Sequence, residues 1–73
     1  MEFWIYENWR ARGHKSVIHS GICKFCNHGK GLTGRYDPAN ATWHGPFETV
    51  SSAQARSNSL SGVTYRSTHS CVN

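Results

Sequence analysis

The residues best suited to chemistry in this sequence are its three cysteines and a nearby histidine. Cys23 and Cys26 are separated by two residues, a spacing that lets two thiolates reach one tetrahedral ion while the intervening amides turn around it. Structural zinc takes four ligands, which are cysteines alone, three cysteines with one histidine, or two of each. Cys71 is the only other cysteine and is expected to be the third ligand, because tethering it would close the fold. The pattern predicts one structural zinc ion.

Several histidines are candidates for the fourth ligand. His19 precedes the first cysteine by four residues, His69 lies two residues before the last cysteine, and His28 lies inside the turn that follows the second cysteine. We favour His19, because it arrives from a predicted strand and leaves the loop free to wrap the ion. His69 is the next choice. His14 and His44 are expected to be ordinary surface or core histidines.

Two other interpretations of the cysteines remain open. Cys23 and Cys26 would form a redox disulfide in a thioredoxin-like C-x-x-C motif, but such a motif sits at a helix start and no helical pattern follows Cys26. The three cysteines would otherwise be ordinary buried thiols, which are common in proteins. Zinc is favoured because chains below roughly 70–80 residues usually need a disulfide set, a metal or a partner subunit for stability.

The segment from Cys23 to Gly31 has the order C-x-x-C-x-x-G-x-G. Glycines at positions 29 and 31 permit the positive φ angles that a tight loop requires. This order resembles the zinc knuckles of the DnaJ central domain, from which it differs by one extra residue and by occurring once instead of four times. The resemblance covers about ten residues. It implies a zinc knuckle and does not carry chaperone function with it.

The elements that must position these ligands are short strands and one helix. Segments rich in β-branched and aromatic residues predict strands at 3–9, 15–20, 42–47 and 63–69. Residues 49–60 form the only helix candidate, with Thr49 or Ser51 as N-cap and Gly62 as the stop signal. His69 at the end of the last strand and Cys71 just after it share one parity, so both side chains are expected to point to the same side, toward the metal.

These elements predict an α+β fold, with a small antiparallel sheet of three or four strands, one helix packed on it, and a zinc knuckle at the sheet edge. Residues 1–73 are expected to form a single zinc-binding domain. The segment Trp-His-Gly-Pro-Phe-Glu-Thr, followed by Ala53, resembles the G-P-F-x-[ST]…A unit of sporulation-related (SPOR-like) repeats. That resemblance implies a Gly-Pro turn leading into a capped helix. The whole pattern is also similar to small bacterial and phage-borne zinc proteins.

The positive charge is concentrated in the first half of the chain. The formal net charge is +4, and no acidic residue lies between Trp9 and Tyr36. Basic side chains attract phosphate backbones, and interleaved aromatic rings stack on unpaired bases. The residues predicted to contact nucleic acid are Arg10, Arg12, Lys15, Lys24, Phe25, Lys30 and Arg35. The alternative is that these charges form a solvated face.

We therefore expect a non-catalytic, zinc-stapled binding module that binds nucleic acid. The alternative is a small protein-interaction module, such as a phage-type inhibitor that docks on an acidic surface of a larger host complex. No enzyme and no small-molecule substrate are expected, because the four acidic residues do not pair and a four-ligand zinc has no open position for water. An odd number of cysteines and the lack of a signal peptide or apolar span favour the cytoplasm over a membrane.

Overall fold

The structure of the protein is a computed structural model that describes residues 2–9, 13–23, 26, 28 and 41–72. The elements in chain order are β1 (Phe3–Asn8), β2 (Lys15–Ser20), β3 (Ala41–Phe47), α1 (Val50–Ser59), β4 (Tyr65–Thr68) and a short 3-10 turn (Ser70–Val72). The predicted α+β class is confirmed, and the four strands and α1 each lie within two residues of their predicted bounds. The 3-10 turn was not predicted. Arg10, Arg12 and residues 29–40 lie outside the described residues.

The four strands form one sheet in the order β3-β1-β2-β4. β1 pairs antiparallel with both β2 and β3, but β4 pairs parallel with β2. The expectation of a purely antiparallel sheet is therefore wrong for this last pair. The reason is the connection through α1, because a strand that follows a crossover helix runs in the same direction as the strand before the helix. Here β3, α1 and β4 form that unit. β2 and β3 are both antiparallel to β1, so a strand parallel to β3 is also parallel to β2.

The core lies between the sheet and α1. Ile5 and Ile18 are directly opposite each other on β1 and β2, and both are fully buried against Ala53 of the helix. Two residues from Ile18, the hydroxyl of Ser16 is hydrogen-bonded to that of Ser57 on α1 at 2.7 Å. Alternate residues of a strand point to opposite faces, so these contacts show which face of each strand the helix covers.

The helix begins and ends as its sequence predicts. Thr49 is the N-cap, and its side-chain oxygen accepts a hydrogen bond from the backbone N–H of Ser52 at 3.0 Å. Leu60 is the C-cap, and Gly62 follows with a φ of +80°, which favours glycine. Arg66 of β4 then donates from Nη2 to the Leu60 carbonyl at 2.9 Å. The helix end is thus tied to the neighbouring strand.

The face of the sheet turned away from α1, which we call the distal face, carries several aromatic rings. Tyr6 and Trp43 are cross-strand partners with ring centroids 4.7 Å apart. Trp4 lies over Gly45, where a β-carbon would approach its ring to 2.8 Å, and the φ of Gly45 is +148°. Only glycine fits this position without displacing the ring.

Among the described residues, no helix is long and apolar enough to cross a lipid bilayer. The helix described, α1, has ten residues, whereas a transmembrane helix needs about 20.

Candidate metal centre

Four side chains capable of binding a metal converge at one end of the sheet, where β2 and β4 end. Their ligand atoms all lie within 4.8 Å of one another, and the residues are His19, Cys23, His69 and Cys71. We call this group the metal cluster. It is assembled from the end of β2, the turn after it, the residue after β4 and the 3-10 turn. Two thiols with two imidazoles are one of the ligand sets that structural zinc sites use.

Two separations within the metal cluster are close to those of a tetrahedral zinc site. Nδ1 of His19 lies 3.8 Å from Sγ of Cys23 and 3.8 Å from Sγ of Cys71. A tetrahedral zinc ion, with Zn–N of about 2.0–2.1 Å and Zn–S of about 2.3 Å, holds such atoms about 3.6 Å apart. These two separations are therefore within a few tenths of an ångström of the values that zinc needs, and the remaining ligand atoms lie within 4.8 Å of one another.

Backbone hydrogen bonds place Cys23. The Cys23 amide donates to the Ser20 carbonyl at 3.0 Å, which turns the chain immediately after β2. The Gly21 amide donates to the Glu2 carbonyl at 2.8 Å and thereby fixes this turn against β1. A side chain at Gly21 would collide with Glu2, since a β-carbon there would lie 2.4 Å from Cγ of Glu2. Gly21 thus allows the close approach that positions Cys23.

The parallel pairing of β2 and β4 places the two histidines of the metal cluster. The ladder runs from Lys15 opposite Tyr65 to Ile18 opposite Thr68. It ends with the His69 amide donating to the Ile18 carbonyl at 2.8 Å. The next residue along each strand is a histidine, and the rings of His19 and His69 stack with centroids 4.6 Å apart.

Backbone amides donate hydrogen bonds to individual side-chain atoms of the metal cluster. The Ser20 amide donates to Sγ of Cys71 at 3.4 Å, a contact that favours thiolate over thiol. The Cys71 amide donates to Nδ1 of His69 at 3.2 Å, a contact that fixes the orientation of the ring. The edge of Trp43 packs on the His19 ring, with centroids 5.4 Å apart. Outer contacts of this kind orient metal ligands.

Burial controls the protonation of the metal cluster. Desolvation, together with the nearby His69, lowers the pKa of His19 to about 4, so the imidazole is neutral at pH 7. Burial and the hydrogen bond to Cys23 raise the pKa of the Cys71 thiol. Neutral imidazole is the form that binds metals, whereas the thiol must lose its proton. A bound cation favours that loss, because it stabilises the thiolate directly.

Three of the four predicted ligands, namely His19, Cys23 and Cys71, belong to the metal cluster. The fourth member is His69, which the sequence ranked second among the histidines. Cys26 is not one of the four, although its side chain is fully buried and its amide donates to the Cys23 carbonyl at 2.9 Å. Its predicted role as a ligand stays a prediction.

The remaining histidine candidate, His28, is exposed and forms an ion pair with Glu2 instead. Of the residues predicted to contact nucleic acid, Arg10, Arg12, Lys24, Phe25, Lys30 and Arg35 lie outside the described residues. Lys15 is described, and its Nζ lies over the ring of Tyr65, 5.8 Å from the ring centroid. Tyr65 was not among the residues predicted to be functional. It shares the parity of His69 in the predicted last strand, which places both side chains on the same face.

A second polar cluster lies on the helix-facing side of the sheet. Glu7 of β1 accepts a hydrogen bond from Nε2 of His14 at 2.5 Å and one from Nε2 of His44 at 2.7 Å. We call these three residues the Glu7 cluster. Burial alone would raise the pKa of Glu7, but the hydrogen bonds from His44 and His14 outweigh it and leave the pKa lowered. The two histidines expected to be ordinary thus flank one carboxylate.

Comparisons of this chain with protein families, with curated proteins and with solved structures gave no significant match.

Proposed function

We propose that this protein is a non-catalytic binding module whose fold depends on one structural zinc ion bound by His19, Cys23, His69 and Cys71. The observation that supports this most is the convergence of four ligand atoms within 4.8 Å. Nδ1 of His19, 3.8 Å from each of the two sulfurs, is close to the spacing that tetrahedral zinc requires.

The chemistry of the ligands supports zinc over other biological cations. Thiolate and imidazole ligands suit zinc, whereas magnesium and calcium prefer carboxylate and carbonyl oxygens. No carboxylate of the described residues belongs to the metal cluster. Four protein ligands complete a tetrahedral shell, so a zinc ion bound by all of them has no position for a water molecule to be activated. This supports a structural role.

The size of the core supports a strong dependence on the metal. The fully buried apolar cluster consists of Ile5, Ile18 and Ala53, with only partly buried neighbours around it. Structural zinc contributes an apparent free energy of about 10–16 kcal/mol in finger peptides at neutral pH. The whole stability of a small domain is about 5–15 kcal/mol. Removal of the ion is therefore expected to unfold the protein.

Native mass spectrometry with and without a chelator tests this proposal. We expect one zinc ion per chain, and the chelator should remove it together with the dispersed signals of a folded protein in the NMR spectrum. A folded chain of unchanged dispersion after zinc removal would contradict the proposal. A metal-free mass lighter by two hydrogens would indicate a disulfide and would favour the redox interpretation instead.

A matched pair of cysteine variants tests which ligands are used. Cys23→Ser removes a member of the metal cluster and is expected to abolish both zinc binding and folding. Cys26→Ser removes a buried thiol outside it and is expected to retain one zinc ion. Loss of zinc in Cys26→Ser would show that the site has the three cysteines and one histidine predicted from the sequence.

For the partner, we propose nucleic acid. The support is the formal net charge of +4 and the absence of any acidic residue between Trp9 and Tyr36. Salt dependence distinguishes this from docking on a protein. Binding to a duplex should weaken with salt at a log–log slope of about −0.9 for each phosphate neutralised. An affinity nearly independent of salt would instead favour a mixed apolar protein interface.

A further inference from the structure

Aromatic rings and one lysine lie on the distal face of the sheet. Trp43 on β3 is opposite Tyr6 on β1, which is opposite Val17 on β2. Lys15 has the same parity as Val17, and it is opposite Tyr65 on β4. All of these side chains therefore point to the side away from α1. We call Tyr6, Lys15, Trp43 and Tyr65 the aromatic patch.

The rings of the aromatic patch are accessible to different degrees. Tyr65 begins β4 and is 54% exposed, whereas Tyr6 and Trp43 are half-buried. Because β1 and β4 are separated only by β2, Tyr6 and Tyr65 lie roughly 10 Å apart in the direction across the strands. They are offset by two residues along the strands, and Lys15 lies between them. A ligand that spans the patch must offer more than one flat apolar group.

Among the strand residues of this face, the charged side chain is Lys15, which is positive. Nζ of Lys15 lies 5.8 Å from the centroid of the Tyr65 ring, within the range of a cation–π contact. The four strands contain a single acidic residue, Glu7, and it points to the helix side, where His14 and His44 hold it. A ligand of the aromatic patch is therefore expected to carry negative charge between its flat groups.

We infer that the aromatic patch binds single-stranded nucleic acid, with unpaired bases stacked on Tyr65 and Tyr6 and a backbone phosphate held by Lys15. This inference rests on the proposed nucleic-acid function and names the form of the partner and the face that receives it. Aromatic side chains stack on bases only where the bases are not already stacked in a duplex. Basic side chains alone would bind a duplex as well, so the rings are what select the single strand.

The sheet holds the rings in place before any ligand arrives. The amides of Thr64 and Tyr65 both donate to the His14 carbonyl, which anchors the start of β4. Tyr6 packs against Trp43, and Trp43 in turn packs against the His19 ring of the metal cluster. The Tyr6 ring and the backbone that carries Tyr65 are thus held in place, which reduces the freedom lost when a base stacks on them.

The test uses the zinc-loaded protein and fluorescence anisotropy of a labelled oligothymidylate, compared with a duplex of the same length. We expect the single strand to bind more tightly. Tyr65→Ala should raise its Kd about tenfold, since stacking on one base is lost. Tyr65→Phe keeps a stacking ring and should change the Kd by less than about twofold. Lys15→Gln should reduce the salt slope by about 0.7, the value for one phosphate of a single strand.

An exposed tryptophan on the other face provides the matched control. Trp9 is 38% exposed, and its ring packs edge-on against His14, which belongs to the helix-facing Glu7 cluster. Trp9→Ala should therefore leave the Kd within about twofold, because no base stacks there. Arg56→Ala, which removes an exposed charge from α1, should do the same. Zinc content and NMR dispersion establish that each variant is folded.

The outcomes separate this inference from the proposed function. If the protein binds the oligonucleotide but Tyr65→Ala binds equally well, nucleic-acid binding stands and the aromatic patch is wrong. Preference for the duplex, or a Trp9→Ala effect as large as that of Tyr65→Ala, would also overturn it. If neither nucleic acid binds at low salt, the proposed nucleic-acid function itself fails, and an acidic protein surface becomes the partner to test.

Discussion

Two clusters built around paired histidines lie on opposite faces of the same sheet. The metal cluster joins His19 and His69 to two thiols on the side turned away from the helix. The Glu7 cluster joins His14 and His44 to one carboxylate on the helix side. Cross-strand register decides this placement, because Glu7 is opposite Ser16, which contacts the helix, while His19 is on the alternate face.

The two clusters differ in whether their own members satisfy one another. In the Glu7 cluster, each imidazole donates to a different oxygen of a carboxylate, at 2.5 and 2.7 Å. The donors and the acceptor are therefore matched without any added group. In the metal cluster the contacts of His19 with the two sulfurs are 3.8 Å long, and sulfur is a weak hydrogen-bond partner. A bound cation would therefore satisfy the ligand atoms of the metal cluster, whereas it would add little to the Glu7 cluster.

The clusters also differ in the expected size of their contribution to stability. A hydrogen bond to a charged group contributes about 1.5–3 kcal/mol. Zinc coordination contributes about 10–16 kcal/mol in small peptides. The metal cluster should therefore determine whether the chain folds, and the Glu7 cluster should adjust the stability of a chain that is already folded.

The largest effect should come from Cys71→Ser. This change removes one sulfur from the metal cluster, and we expect loss of zinc, loss of dispersed NMR signals, and no cooperative unfolding transition. Ser59→Ala, at an exposed residue near the end of α1, is the control and should remain folded with one zinc ion. A folded, zinc-free Cys71→Ser protein would remove the proposed difference between the two clusters.

The next largest effect should come from Glu7→Gln. The substitution keeps the size of the side chain but removes the charge that accepts from His14 and His44. We expect a decrease in the free energy of unfolding of about 1.5–3 kcal/mol, with unchanged zinc stoichiometry, measured by urea denaturation at pH 7. Glu48→Gln, at an exposed position, should change it by less than about 0.5 kcal/mol. If Glu7→Gln also lost its zinc, the two clusters would not be independent.

The effect of Glu7→Gln on the free energy of unfolding should depend on pH. Burial raises the pKa of Glu7, but its two histidine partners together outweigh burial, so the pKa in the folded protein is lowered. A carboxyl with a lowered pKa contributes stability above its unfolded pKa and loses it as the pH falls through the folded value. The difference between wild type and Glu7→Gln should be present at pH 7 and at pH 5 and shrink below about pH 4.5. A difference that disappeared between pH 7 and pH 5, a range over which native mass spectrometry checks the zinc content of both proteins, would contradict this assignment.

The smallest effect should come from Thr49→Ala, which touches neither cluster. It removes the oxygen that accepts from the Ser52 amide at the helix start, and we expect a loss of about 1 kcal/mol in the free energy of unfolding. Ser51→Ala removes the other N-cap candidate and should have a smaller effect, measured by the same denaturation. A larger effect for Ser51→Ala would indicate that the helix begins later in solution.

Local signals in the sequence were sufficient for the elements and for most of the metal cluster. Thr49 and Gly62 bracket α1 as expected, because caps depend on residues close in the chain. The C-x-x-C spacing identified Cys23, and the parity of the last strand linked His69 to Cys71. These inferences needed only neighbours in sequence.

What the sequence could not predict depends on register between distant strands. Whether His19 or His69 completes the site was left as a choice, and the parallel pairing of β2 with β4 brings both rings together. The same holds for Glu7, which meets His44 only because β1 pairs with β3. Strand order is set by packing of the whole sheet, which no local motif records.

The metal cluster also has a consequence for biosynthesis. Its first two ligands and its last two come from distant segments, with His19 and Cys71 separated by 52 positions. On the ribosome, His19 and Cys23 emerge first and offer an ion only half of its coordination shell. The second half follows after α1 and β4 have been made. The nascent chain therefore cannot complete its site until Cys71 has emerged, and we expect metal capture to follow the synthesis of β4.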